Sequence, residues 1–130
     1  MINREIIRIK IVQLTYAYYQ NGNKNIDTAE KELFFSLSKA YDLYNQLLSL
    51  IVAITREAQR RQEVLQAKAL REGSKMPSAK FTSNRFALQL ESNIQLGEFM
   101  ETQKRTWADY PEFIGKCLNR LSRVRFIRTT

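Results

Sequence analysis

Histidine is absent from the chain, and cysteine occurs once, as Cys117. Without histidine there is no Ser-His or Cys-His pair to activate a nucleophile, and one thiol supplies neither an internal disulfide nor a cysteine-based zinc site. Glycine-rich phosphate loops of either common type are missing too. The acidic residues are scattered, mostly on faces that read as solvent-facing, so a carboxylate pair for acid–base work has no visible frame. The chain is therefore not expected to be an enzyme, and no cofactor or metal is expected. Only 4 glycines and 2 prolines punctuate it, a scarcity that favours few, long helices over a many-turned β-fold. The longest nearly apolar run, "LLSLIVAI" at 47–54, is too short to span a bilayer. The N-terminus lacks a signal-peptide core followed by a small-residue cleavage site, so the expected compartment is the cytoplasm, with no membrane partner.

What is present fits one domain. An apolar fraction of 44% and a charged fraction of 26% over 130 residues are ordinary globular values, and a chain of this length buries roughly two-thirds of its unfolded surface. The 21 basic residues exceed the 13 acidic ones, for a formal +8. Past Lys116 the only charged residues are Arg120, Arg123, Arg125 and Arg128, so the last stretch is extreme and the rest moderately basic. Such an excess suits a polyanionic partner such as RNA, DNA or an anionic membrane, and it equally well keeps a protein dissolved.

Residues 7–11, Ile-Arg-Ile-Lys-Ile, alternate like a half-buried strand. Length decides otherwise. From Asn3 to Gln20 there is no turn signal, and Ile2, Ile6, Ile9, Val12, Tyr16 and Tyr19 recur at helical spacing. Asn3 reads as the N-cap and Asn21-Gly22-Asn23 as the stop. "DTAE" at 27–30 has the form of a capping box and opens a second helical region. Its stripe of Leu33, Phe34, Leu37, Tyr41, Tyr44, Leu48, Ile51 and Thr55 fades after Arg56. A helix running on to residue 72 would be about 67 Å long at 1.5 Å per residue, so it either breaks near 38–42 or projects. "GSKMPSAKFTS" at 73–83 is a loop by composition. A third helix is expected over 83–104, with Phe86, Leu90, Ile94, Leu96, Phe99 and Met100 as its apolar set. A fourth is expected at Asp109-Tyr-Pro-Glu112, with the aspartate as cap. The expected fold is all-α, a bundle of about four helices with a long or broken second one.

Arg4 and Arg8 stand one turn apart near a helix N-terminus, where free N–H groups add positive potential. That face suits a phosphate backbone, and Tyr16 or Tyr19 would offer a ring for base stacking. The plainer reading is favoured on physics alone: the arginines solvate the outside of a core helix and the tyrosines pack inside. Arg56, Arg60 and Arg61 form a second cluster, diluted by Glu57 and Glu63. The run 47–54 is apolar nearly all round and needs cover on several sides, more than three or four helices readily supply.

The pattern Arg4-x-x-x-Arg8-x-x-x-Val12-Gln13-x-x-Tyr16, followed by Gln20, resembles the opening helix of the NusB family of transcription antitermination factors. Tyr41-Asp-Leu-Tyr44-x-x-Leu47-Leu48 resembles a later helix. The long-form members are the nearer likeness, through "IRIKIVQLTYAYYQNGNK", "DTAEKELFFSLSKAYDLYN" and "NRFALQLESNIQLGEFMETQKRTW". The likeness is nearly continuous from Ile2 to about Lys116. It implies an all-α fold and a role on boxA-type single-stranded nascent RNA, with a small-subunit ribosomal protein and the transcription elongation complex as partners. It also implies that Arg4 and Arg8, with Lys10 and Tyr16 beside them, contribute to the RNA surface. Glu5 and Ile6 stand where the family carries more arginine, so reduced RNA affinity is expected.

The family's C-terminal helical half is not in this sequence; in long-form members it would follow residue 130. Residues 1–116 thus read as the NusB-like helical region. Residues 117–130, "CLNRLSRVRFIRTT", read as a basic tail, out of frame or disordered, because a shifted frame allows a more helical sequence. The rival reading is a protein-interaction module, or a homodimer through exposed apolar faces at 33–55 and 86–100, with the basic residues only solubilising.

Overall fold

The computed structural model describes residues 3–22 and 25–124. Ile2 and Asn23, together with Arg125 and Arg128 of the expected tail, lie outside the described residues. Five α-helices and one 3-10 turn follow one another, with no strand among the described residues: α1 (Arg4–Gln20), α2 (Ile26–Glu72), α3 (Arg85–Glu91), α4 (Ile94–Thr102), the turn Trp107–Asp109, and α5 (Pro111–Arg123). The all-α expectation holds. No helix among the described residues is long and apolar enough to cross a membrane.

Local chemistry sets the boundaries. Asn3 caps α1 as expected, its Oδ1 accepting from the Ile6 N–H at 2.9 Å. Gly22, at φ +63°, follows α1 in the left-handed region that glycine enters without penalty. At the start of α2 the expected capping box gives way to Asn25. The Asn25 Oδ1 accepts from the N–H groups of Asp27 at 3.0 Å and Thr28 at 3.4 Å, which leaves Asp27 inside the first turn. There Asp27 still complements the helix dipole. α2 then runs unbroken for 47 residues, with no interruption at 38–42. Gly73 ends it at φ +62°, and the Ser74 N–H reaches back to the Ala69 carbonyl at 3.0 Å, the closing bond of a Schellman turn.

The expected third helix is two. Asn93 takes extended backbone (ψ 117°) and its Oδ1 accepts from the Leu96 N–H at 2.9 Å, capping α4 and ending the run from α3 at Ser92. An asparagine that bonds its own downstream backbone competes with helix continuation, and here it wins. Asp109 does not cap α5. Its Oδ2 accepts from the Thr106 N–H at 3.0 Å and closes the 3-10 turn, while Pro111 begins α5 behind an uncapped Tyr110. α5 continues through the expected boundary at 116/117 to Arg123, so the first seven residues of the expected tail are helix.

Two compact units divide the chain, Met1–Gln46 and Leu47–Thr130. In the first, no apolar side chain among the described residues is buried. α1 buries nothing, and Val12, Tyr16 and Tyr19 are 68%, 66% and 77% exposed. The expected core helix is therefore an open one. Phe34, Phe35, Tyr41 and Tyr44 are likewise more than half exposed. Full burial of a large apolar side chain contributes about 1.5–3 kcal/mol, and each side chain so placed forgoes more than half of that.

The second unit holds the core: Ile54, Ala58 and Ala69 of α2, Ala87 of α3, Leu96 of α4 and Ile114 of α5. Half of these are alanines, whose small side chains permit close approach. α2 beyond Arg56 therefore does not project bare, although its large apolar side chains there, Val64, Leu65 and Leu70, are exposed. The 73–84 connection is a loop as expected, held to α2 by Gln59 Nε2 donating to the Thr82 carbonyl at 3.2 Å and by a Thr82–Gln62 side-chain bond.

Candidate nucleic-acid interface

Along α1, Arg4 and Arg8 are both exposed, and a four-residue step turns them only about 40° apart on the helix. No carboxylate among the described residues forms an ion pair with either. The N-terminal position and the adjacent free amides give this face a positive field that a phosphate can use. Lys10 does not join them. Six residues from Arg4 and two from Arg8, it lies about 120° and 160° around the helix, and it is half-buried.

Tyr16 is exposed, and its hydroxyl accepts from Gln20 Nε2 at 3.1 Å. It lies about 80° around from Arg8, whereas Tyr19 lies only about 20° from it. Tyr19 is thus the ring on the arginine face, set edge-on to Tyr18 at 5.7 Å between centroids. The eleven-residue step from Arg8 to Tyr19 is three near-complete turns, a spacing readable in the sequence.

The second basic cluster is neutralised from within. Glu57 accepts from Nε and Nη2 of Arg60, each at 2.9 Å, and from Nε of Arg61 at 2.7 Å. The hydrogen bonds from Arg60, and then Arg61, pull its carboxyl down from 4.5 to about 2. Arg56 is engaged elsewhere, donating from Nε at 2.9 Å and Nη2 at 2.6 Å to Glu91. These pairs rim a cavity of about 470 Å³ lined by Val52, Leu90, Leu96, Met100, Trp107 and Ile114, among others. With its rim charges mutually paired, the cavity presents an apolar wall and no free ion. No group of three or more histidine, cysteine, aspartate or glutamate side chains among the described residues could hold a metal.

The chain matches no protein-family model, no curated protein and no solved structure.

Proposed function

We propose that the chain is a NusB-like, RNA-binding antitermination segment, whose α1 offers Arg4 and Arg8 to the phosphates of a boxA-like single strand. A small-subunit ribosomal protein and the elongation complex are its partners in this reading. The observation that carries it is the pair of exposed arginines one turn apart at the α1 N-terminus, without carboxylate partners among the described residues. The resemblance of "IRIKIVQLTYAYYQ" to the family's opening helix supplies the RNA class. Tyr19 adds a stacking ring on the same face; Lys10 contributes little there. The test is fluorescence-anisotropy binding to a boxA-like RNA and a scrambled control. Arg4→Ala/Arg8→Ala should lose the preference for the boxA-like strand. Equal binding to both strands by the unaltered chain would sink the proposal.

A second reading is favoured by the uncovered apolar side chains of the first unit: α1 and the first half of α2 are docking surfaces, for a protein partner or a second copy. Apolar contact of that kind responds little to salt, whereas phosphate contacts lose affinity steeply as salt rises. Sedimentation of the chain against Ile9→Ser/Val12→Ser separates the cases. Self-association abolished by that pair supports docking through α1; a monomer at every concentration rules out the homodimer.

A further inference from the structure

The second unit carries 15 of the 21 basic residues against 8 acids, and so +7 of the formal +8; the first unit is nearly neutral. Within it, α5 sorts its side chains sharply. Ile114 is buried and Cys117, Leu118 and Leu121 are half-buried along one side. Lys116, Arg120 and Arg123 are exposed, and their i, i+4, i+7 spacing gathers them within an arc of about 60° on the opposite side. No carboxylate among the described residues forms an ion pair with any of the three. Glu112, the one acid of α5, sits in the first turn, where the helix dipole favours it.

Two further features join this stripe. Asn119, on the same side of α5, accepts from Arg61 Nη1 at 2.7 Å, which ties the stripe's flank to the Glu57-paired guanidinium of α2. Phe113, one turn before Lys116, is about half exposed, and its ring is stacked on Trp107 at 5.7 Å between centroids with an interplanar angle of 18°. Trp107 thus backs one face of the Phe113 ring, which sits beside three unpaired cations. Cations at one-turn intervals with an adjacent held ring form the combination that binds single-stranded nucleic acid: charge tracks the backbone and the ring stacks a base.

We infer that the outer side of α5 is a second RNA contact surface, with Lys116, Arg120 and Arg123 on phosphates and Phe113 stacking a base. It rests on the RNA-binding reading above and adds to it a sequence-independent contact in the second unit. Being built from charge and stacking, this surface strengthens binding without choosing among sequences.

The test is anisotropy of the full chain with the boxA-like and scrambled RNAs between 50 and 200 mM salt, for the unaltered chain, Lys116→Gln/Arg120→Gln/Arg123→Gln, Phe113→Leu, and Arg4→Ala/Arg8→Ala. Each lost phosphate contact removes about 0.7 from the log–log salt slope of a single strand, so the triple variant should lower the slope by about 2. It should do so for both RNAs alike. Phe113→Leu should weaken binding about tenfold with the slope unchanged, since stacking is not a counterion effect. Arg120→Lys/Arg123→Lys, with Lys116 left in place, is the charge-keeping control and should keep the slope of the unaltered chain. An unchanged slope in the triple variant overturns the inference even where the α1 variant loses boxA preference. A slope loss without sequence preference in any form keeps the α5 surface and removes the antitermination reading. No binding of either RNA at 50 mM salt overturns both.

Discussion

Trp107 and Ser49 stand 58 positions apart in sequence, and the indole Nε1–H donates to the Ser49 hydroxyl at 3.1 Å. The bond fastens the 3-10 turn to α2, and it satisfies a hydroxyl on a residue that is otherwise buried. The same indole stacks on Phe113 of α5 and meets Tyr110 edge-on at 6.5 Å. One side chain therefore joins three elements of the second unit, and it lines the cavity between them.

Trp107→Phe keeps most of the packing and removes the donor. It is expected to cost about 1 kcal/mol, the net worth of a typical hydrogen bond. Trp107→Ala also empties the space under Phe113 and is expected to cost about 3 kcal/mol. Urea unfolding followed by far-UV circular dichroism measures both. Equal losses in the two variants would show that the hydrogen bond, not the ring, ties the elements.

Arg61 and Asn119 form the second tie between α2 and α5, and Gly115 leaves room for the guanidinium. A Cβ on Gly115 would lie 2.9 Å from Arg61 Nη2, the far end of a flexible side chain. Gly115→Ala gains about 1 kcal/mol of helix propensity, and it pushes the guanidinium off Asn119, losing a hydrogen bond of similar worth. The single variant should therefore unfold near the native midpoint. In an Arg61→Ala background, where nothing obstructs the methyl, the same change should stabilise by about 1 kcal/mol. A double-mutant cycle with no coupling would refute the link.

Much of this fold is legible from the sequence, because side-chain oxygens and glycine act locally. Asn3, Gly22 and Gly73 mark the boundaries they were expected to mark. The misread starts are contests between neighbours: Asn25 outcompetes Asp27, and Asp109 is captured by Thr106, so α5 begins without it. Asn93 splits a helix whose apolar spacing is unbroken, since capping competes with periodicity and leaves no trace in it. The core beyond Arg56 was hidden for a different reason. Ala58, Ala69 and Ala87 bury through close approach, and an alanine carries too little apolar surface to register as a stripe. At the site, the Arg4–Arg8 face follows from a four-residue step. Lys10, which the family resemblance sets beside them, lies on another side of α1 by the same helical geometry. The α5 stripe lay across a boundary drawn from charge composition, although its spacing was there to be read.

Glu57 ties acidity to stability. Its carboxyl is lowered from 4.5 to about 2 by hydrogen bonds from Arg60 and Arg61. A depressed folded-state value means that the contribution is complete above the unfolded value and is lost as the pH falls towards 2. Between pH 4.5 and 2 the native chain should lose more thermal stability than Glu57→Gln, and above pH 5 the native chain should be the more stable. Parallel melting-temperature profiles across that window would contradict the assignment.

Asn45 is the one buried residue among those described in the first unit, and its Nδ2 has no hydrogen-bond partner among the described residues. A buried donor left unpaired costs about 1–3 kcal/mol relative to an apolar group of the same shape. Asn45→Leu, close in volume and without the amide, is therefore expected to hold or raise the melting temperature. Asn45→Asp should lower it, since a carboxylate placed there loses hydration without gaining a partner. The direction of the leucine variant decides between two accounts of the residue. A rise means the amide is a net cost to this fold, retained without structural return. A fall of several degrees means the side-chain carbonyl contributes more than the stranded amino group costs.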